Sequence, residues 1–153
     1  THIGQFYLGG NGVARDYKKA MKWFRIAAQR GDTDGQVYIG DLYRCALGVK
    51  QDCKEAERLY RKAAQAGSSA AQTRLATMYK NGEGVDKNVP EAIKLYKGAA
   101  ERGNVEAATK IGLMYAHGDG VVKDNKEALQ WLHKAAAQGD RVAAQAICDL
   151  NKM

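Results

Sequence analysis

Apolar residues recur along this chain at helical spacing, and the whole pattern repeats every 36 residues. One set of phases is Ile3/Ile39/Leu75/Ile111 and Phe6/Leu42/Met78/Met114, followed one step on by Tyr7, Tyr43, Tyr79 and Tyr115. Positions three and four apart lie on one face of a helix, so these phases predict a first helix, A, in every unit. A second set holds Ala20, Trp23, Phe24, Ala27 and Ala28 with their equivalents, and predicts a second helix, B. Ala-Ala followed by Gly closes helix B at Gly31, Gly67, Gly103 and Gly139, always in the same register. Gly-Val pairs at 12, 48, 84 and 120 mark the turn between A and B. Markers this regular, with no insertions, define a repeat array.

The termini of the helices are written in polar residues. Asp32, Ser68, Asn104 and Asp140 precede helix A, and Asp16, Asp52, Asn88 and Asp124 precede helix B. Each can accept a hydrogen bond from a free N–H of the first turn. Glu55, Glu91 and Glu127 follow three residues later, in a pattern that resembles a capping box, and Lys19 breaks it in the first unit. Pro90, the only proline, falls in a first turn, where the missing N–H costs little. Gly4, Gly40, Ala76, Gly112 and Cys148 form a phase of small residues in helix A. Glycine within a helix costs roughly 1 kcal/mol relative to alanine, so close helix packing is the expected compensation, and Cys148 is expected to be buried.

No unit can bury its apolar face alone, and stacking the units makes a solenoid. The fold class expected is all-α. The chain 1–153 is one domain, with units at about 1–31, 32–67, 68–103 and 104–139 and a last helix over 140–153. The first helix lacks its cap and first turn, making nine helices with the first incomplete, and the chain is expected to be a piece of a longer protein. Ala46 replaces the glycine found at 10, 82 and 118, so that turn should be strained or reshaped.

Composition adds limits. Apolar residues make up 45% and charged ones 27%, which is ordinary for a globular protein. The apolar stretches fall short of the ~18 residues a membrane span needs. Three cysteines, an odd number, argue against a complete disulfide framework. The net charge of +7 leaves an anionic partner open.

The unit Ile111-Gly112…Tyr115…Gly118…Gly120-Val121…Asp124…Ala128…Trp131…Ala135-Ala136…Gly139 closely resembles the Sel1-like repeat, a relative of the tetratricopeptide repeat. The resemblance covers essentially the whole chain. It implies a right-handed αα superhelix and a role as a scaffold or adaptor for other proteins, without naming the partner.

Other chemistry finds little support. The turns Gly10-Asn11-Gly12, Gly82-Glu83-Gly84 and Gly118-Asp119-Gly120 follow no strand, and Glu83 and Asp119 oppose an anion, so they are not phosphate cradles. His2, His117, His133, Cys45, Cys53 and Cys148 show no zinc spacing. Cys45 and Cys53 flank one turn and can approach each other, although the odd count favours free thiols. His117 is the one candidate base, and it has no nucleophile in a recognisable local motif. No catalytic residue, metal or cofactor is expected.

Two surfaces remain as candidates for binding. The resemblance places helix A on the inner, concave side. The phases left there after packing read His2-Gln5-Gly9, Tyr38-Asp41-Cys45, Arg74-Thr77-Asn81 and Lys110-Leu113-His117. They vary between units while the core phases scarcely do, which suits either recognition of a protein or peptide or drift on an exposed face. Tyr38 and Arg74 are the expected anchors, Tyr and Arg being enriched at binding hot spots. The second surface is the stripe on helix B, strongest at Lys18-Lys22-Arg25 and Lys54-Arg58-Arg61. It is either a solvated outer face or a dock for a polyanion. Nucleic acid is the lesser reading, because no aromatic residues interleave with the stripe.

Overall fold

The computed structural model describes residues 1–10 and 12–152. Nine helices and no strand are found among the described residues: α1 (His2–Gly9), α2 (Tyr17–Gln29), α3 (Thr33–Arg44), α4 (Cys53–Gln65), α5 (Ser69–Asn81), α6 (Val89–Glu101), α7 (Val105–His117), α8 (Asn125–Ala136) and α9 (Arg141–Asn151). Odd-numbered helices are the A type and even-numbered the B type. Each packs on its neighbours in the chain, and α3 also meets α5 as α7 meets α9. This is an all-α solenoid.

Its turns use one design. Asp16, Asp52, Asn88 and Asp124 each accept a hydrogen bond from the backbone N–H three residues on. The backbone N–H of each of these residues donates back to the carbonyl of the helix-A tyrosine, Tyr7, Tyr43, Tyr79 or Tyr115, at 2.8–3.0 Å. One residue per unit thus both caps helix B, through its side chain, and ties it to helix A, through its N–H. The reciprocal half of a capping box forms in none of the three units that carry the Glu, because the cap's N–H is taken by the tyrosine carbonyl. Glu55 instead accepts from Arg58, and Glu127 from the indole N–H of Trp131.

The small phase of helix A receives a large side chain from helix B. A Cβ added to Gly4 would lie 2.5 Å from the Phe24 ring, one at Gly40 2.6 Å from the Tyr60 ring, and one at Gly112 2.7 Å from Leu132 Cγ. Phe24, Tyr60, Tyr96 and Leu132 are all essentially inaccessible to solvent. Burying such a side chain is worth roughly 1.5–3 kcal/mol, which outweighs the helix propensity lost at glycine.

Three expectations of burial fail. Cys148 is exposed, because the residue that covers this phase elsewhere comes from a following helix B, and none follows α9 among the described residues. Trp23 is 36% exposed, whereas its equivalent Trp131 is 7% exposed. Ile3 and Phe6 are about half exposed although Ile39, Leu42, Ile111 and Met114 are buried. Burial here depends on the neighbouring helices, and α1 has 8 residues against 12 or 13 in α3, α5 and α7.

Ala46 keeps the left-handed backbone of the turn, with φ 57° against 69–71° at Gly10, Gly82 and Gly118. The turn is therefore strained and not reshaped. A left-handed residue with a Cβ costs roughly 1–2 kcal/mol, and glycine gives back about half of that through unfolded-chain entropy. Ala46→Gly should raise the melting temperature by about 1–4 °C, measured by circular dichroism. A lower melting temperature would mean the turn is unstrained.

Candidate interaction surface

The helix-A residues expected to face a partner largely bond to one another. Tyr38 stacks on Phe24, with ring centroids 4.7 Å apart, and its hydroxyl accepts from the Gln5 amide. Asp41 accepts from the Tyr60 hydroxyl and, at 3.1 Å, from Arg74 Nε. Arg74 Nη1 reaches Glu106 at 3.0 Å, and Lys110 sits 3.8 Å from the same carboxylate. Arg74 is thus held between the units before and after its own. Burial alone would make its guanidinium easier to deprotonate, but Asp41 and Glu106 outweigh that and hold it above the usual range. Burial, with Asp41 beside it, pushes the Tyr60 phenol well above the tyrosine range, so it remains a donor.

Further along, Thr77 bonds the Tyr96 hydroxyl at 2.8 Å. Thr77, Lys110, Leu113 and His117 then line one cavity of about 280 Å³ between α5 and α7, together with Asn81 and the Lys80–Asp119 ion pair. Leu113 and His117 also line a second, mainly apolar groove of about 440 Å³ between α7 and α9, with Val142 and Leu150. His117 and His2 are exposed. His2 lies apart, at the α1 end beside Ile3 and Trp23. The structure therefore groups four of the nine candidate residues in one cavity, chains four others into polar contacts between units, and leaves His2 alone.

The turn carboxylates also find partners in the preceding unit. Glu83 accepts from Arg44 at 3.2 Å, and Asp119 pairs with Lys80 at 2.7 Å, which holds its carboxyl below the usual range. The corresponding Asn11 lies outside the described residues. On helix B, the third phase of the basic stripe is spent on the next unit's tyrosine. Arg25 reaches the Tyr43 hydroxyl, Arg61 that of Tyr79, and the Lys97 ammonium lies 5.3 Å over the Tyr115 ring. Arg58 and Arg61 are in addition paired with Glu55 and Glu57. Half of the basic stripe is thus committed within the fold, while Lys18, Lys22 and Lys54 stay exposed.

Sequence reasoning missed the tyrosines as hydrogen-bonding groups, although a signal was there. Helix B carries Tyr60 and Tyr96 in the two units where helix A, nineteen residues earlier, carries Asp41 and Thr77. Where helix B has Leu132, helix A has Leu113.

The thiols are all free. Cys45 and Cys148 are exposed, whereas Cys53 is half-buried beneath Gly84, whose added Cβ would lie 2.3 Å from Cys53 Cβ. In an iodoacetamide time course followed by peptide mass spectrometry, Cys53 should react last. Labelling of Cys53 ahead of Cys45 would mean that the turn does not cover it.

No helix among the described residues is long and apolar enough to cross a membrane. None of them gather three or more His, Cys, Asp or Glu side chains about a point where a metal ion could bind.

Comparison with known proteins agrees with this geometry. The family model described as Sel1 repeat matches residues 2–32, 33–68, 69–104 and 105–140. A Sel1 repeat protein from Oxalobacter formigenes is 37% identical with a TM-score of 0.84, over 99% of this chain and 60% of that one. A protective antigen of uropathogenic Escherichia coli strains, displaying an SLR fold, is 34% identical with a TM-score of 0.80, over 93% of this chain and 31% of that one. The chain thus spans less than two thirds of either. Cysteine rich protein B of Helicobacter pylori, 23% identical with a TM-score of 0.66, covers 86% of this chain and 94% of that one and shares the fold. No curated protein matches. Sel1 repeat proteins generally act as scaffolds for protein–protein interaction. With four consecutive repeats, a shared turn design and a small phase filled from the next helix, the chain belongs to the Sel1 repeat family.

Proposed function

We propose that this array is a non-enzymatic scaffold or adaptor that binds a protein or peptide partner along the helix-A stripe, taken as the concave face. The observation that carries this reading is the meeting of two cavities at Leu113 and His117, one polar and one apolar. A partner side chain with an apolar body and a polar tip would reach into both, and hot spots favour such pockets. In this reading His117 and Lys110 contact the partner, Leu113 and Thr77 shape the pocket, and Tyr38, Asp41, Arg74 and Gln5 hold the surface in place. His2 would extend the contact at the α1 end. Arg74 serves as an organiser, because its nitrogens already bond two carboxylates.

The test is affinity capture from source cells with Lys110→Ala/His117→Ala beside a helix-B control, Lys22→Ala/Lys54→Ala. Loss of the same captured protein from the first double variant only is the expected result. Retention there with loss in the control would overturn the reading and favour the basic helix-B face. Binding to that face should also weaken steeply between low and physiological salt, unlike an apolar contact.

A further inference from the structure

The helix-B side holds two related grooves that the proposed function does not use. The first, about 230 Å³, lies among α2, α3 and α4 and is lined by Arg25, Arg58, Lys62, Gln29 and Gln36. The second is lined by Gln72, Lys94, Lys97 and Glu101. Gln36 and Gln72 stand 36 residues apart, at one phase of the repeat. In both, the side-chain Oε1 is buried and no protein group donates to it. Gln36 as a whole is only 9% exposed. A buried acceptor left without a donor costs roughly 1–3 kcal/mol, so a ligand that donates to it gains that back. Neither Arg25 nor Lys62 has a carboxylate partner among the described residues, whereas Arg58 is shared with Glu55.

From this pairing of cations that have no carboxylate partner with an unmet acceptor, we infer that the groove at Gln36 binds an extended acidic peptide segment. Its carboxylates meet Arg25 and Lys62, and a backbone N–H donates to Gln36 Oε1. Gln72, with Lys94 at the phase of Arg58, repeats part of this arrangement one unit further along, where Gly98 stands at the phase of Lys62. A nucleic acid fits less well, since phosphodiesters bring only acceptors and neither groove is lined by an aromatic ring on which a base could stack. This surface is separate from the helix-A stripe, so it stands or falls independently of the reading above.

The test uses a fluorescein-labelled ten-residue peptide of alternating Glu and Gly, its backbone N-methylated analogue and a ten-nucleotide single-stranded DNA. Anisotropy is read at low salt with the full chain. The unmodified peptide should bind, and Lys62→Glu should weaken it about tenfold or more. Gln36→Met should weaken it about fivefold, with no fall in melting temperature since an unmet acceptor is removed. N-methylation should weaken binding to the unaltered protein and make no difference to Gln36→Met. Equal loss on N-methylation in both proteins, peptide binding indifferent to Lys62→Glu, no peptide binding at low salt, or tighter binding of the DNA would each overturn the assignment.

Discussion

Gly112→Leu should lower the melting temperature by roughly 5–10 °C, the shift that a cost of about 2–3 kcal/mol gives in a chain of this size. Gly112 lies within α7, and a Cβ there would come within 2.7 Å of Leu132 Cγ, 2.9 Å of its Cδ2 and 3.3 Å of the Ala128 carbonyl. Leu132 cannot turn aside, because it is completely buried among the packed side chains of α7 and α8. The two helices must therefore separate, or the leucine must take an unfavourable rotamer. Adding Leu132→Ala makes room and should recover part of the loss. The pair should be strongly non-additive in a double-mutant cycle read by chemical denaturation. An unchanged melting temperature in Gly112→Leu would place this face of α7 toward solvent.

Gly120→Ala should cost about 2–4 kcal/mol, from two separable causes. Its φ of +73° lies where a Cβ is strained, and that Cβ would sit 2.3 Å from Cγ1 of Val89, at the start of the preceding helix B. Gly48 meets Tyr17 and Gly84 meets Cys53 in the same way, so this glycine is the point at which each turn rests on the unit before it. Val89→Ala removes the nearest atoms and should restore the steric share, leaving the backbone share of roughly 1–2 kcal/mol. Urea titrations of the two single variants and the double would measure the coupling. Simple additivity would rule out the contact.

Most of the fold could be read from the chain because its causes are local. Caps, turn glycines and apolar phases act within one unit, and a 36-residue period repeats them until chance is excluded. Trp23 and Cys148 were misjudged because burial is decided by the neighbouring helix, which is short at α1 and does not follow α9 among the described residues. Variation at Tyr38, Asp41 and Arg74 looked superfluous to packing because each was compared only with its own phase. Their partners stand 33, 19 or 32 residues away on other helices: Gln5 for Tyr38, Tyr60 for Asp41, Glu106 for Arg74. An alignment of units shows like above like, whereas these bonds join unlike phases. Only the match of Tyr60 and Tyr96 with Asp41 and Thr77 left a trace, and it appears when two columns of the repeat are compared with each other. The cavity at Leu113 and His117 depends on how α5, α7 and α9 stack, which periodicity does not specify.

The bonding of Arg74 to both Asp41 and Glu106 bears on how such proteins can be recombined. Backbones that repeat so faithfully suggest bricks that could be shuffled, duplicated or deleted at will. Yet the second, third and fourth units carry a password in three parts, acid, base, acid, that is complete only in this order. Deleting the third unit would set Asp41 beside Lys110 and lose the guanidinium that spans two neighbours. Duplicating it would set one Arg74 against Ala70 of the next copy and the other against Thr77 of the copy before, so that each guanidinium would lose one of its two carboxylates. A lineage that grows by copying single units must therefore rewrite these positions each time, or copy the three units as a block.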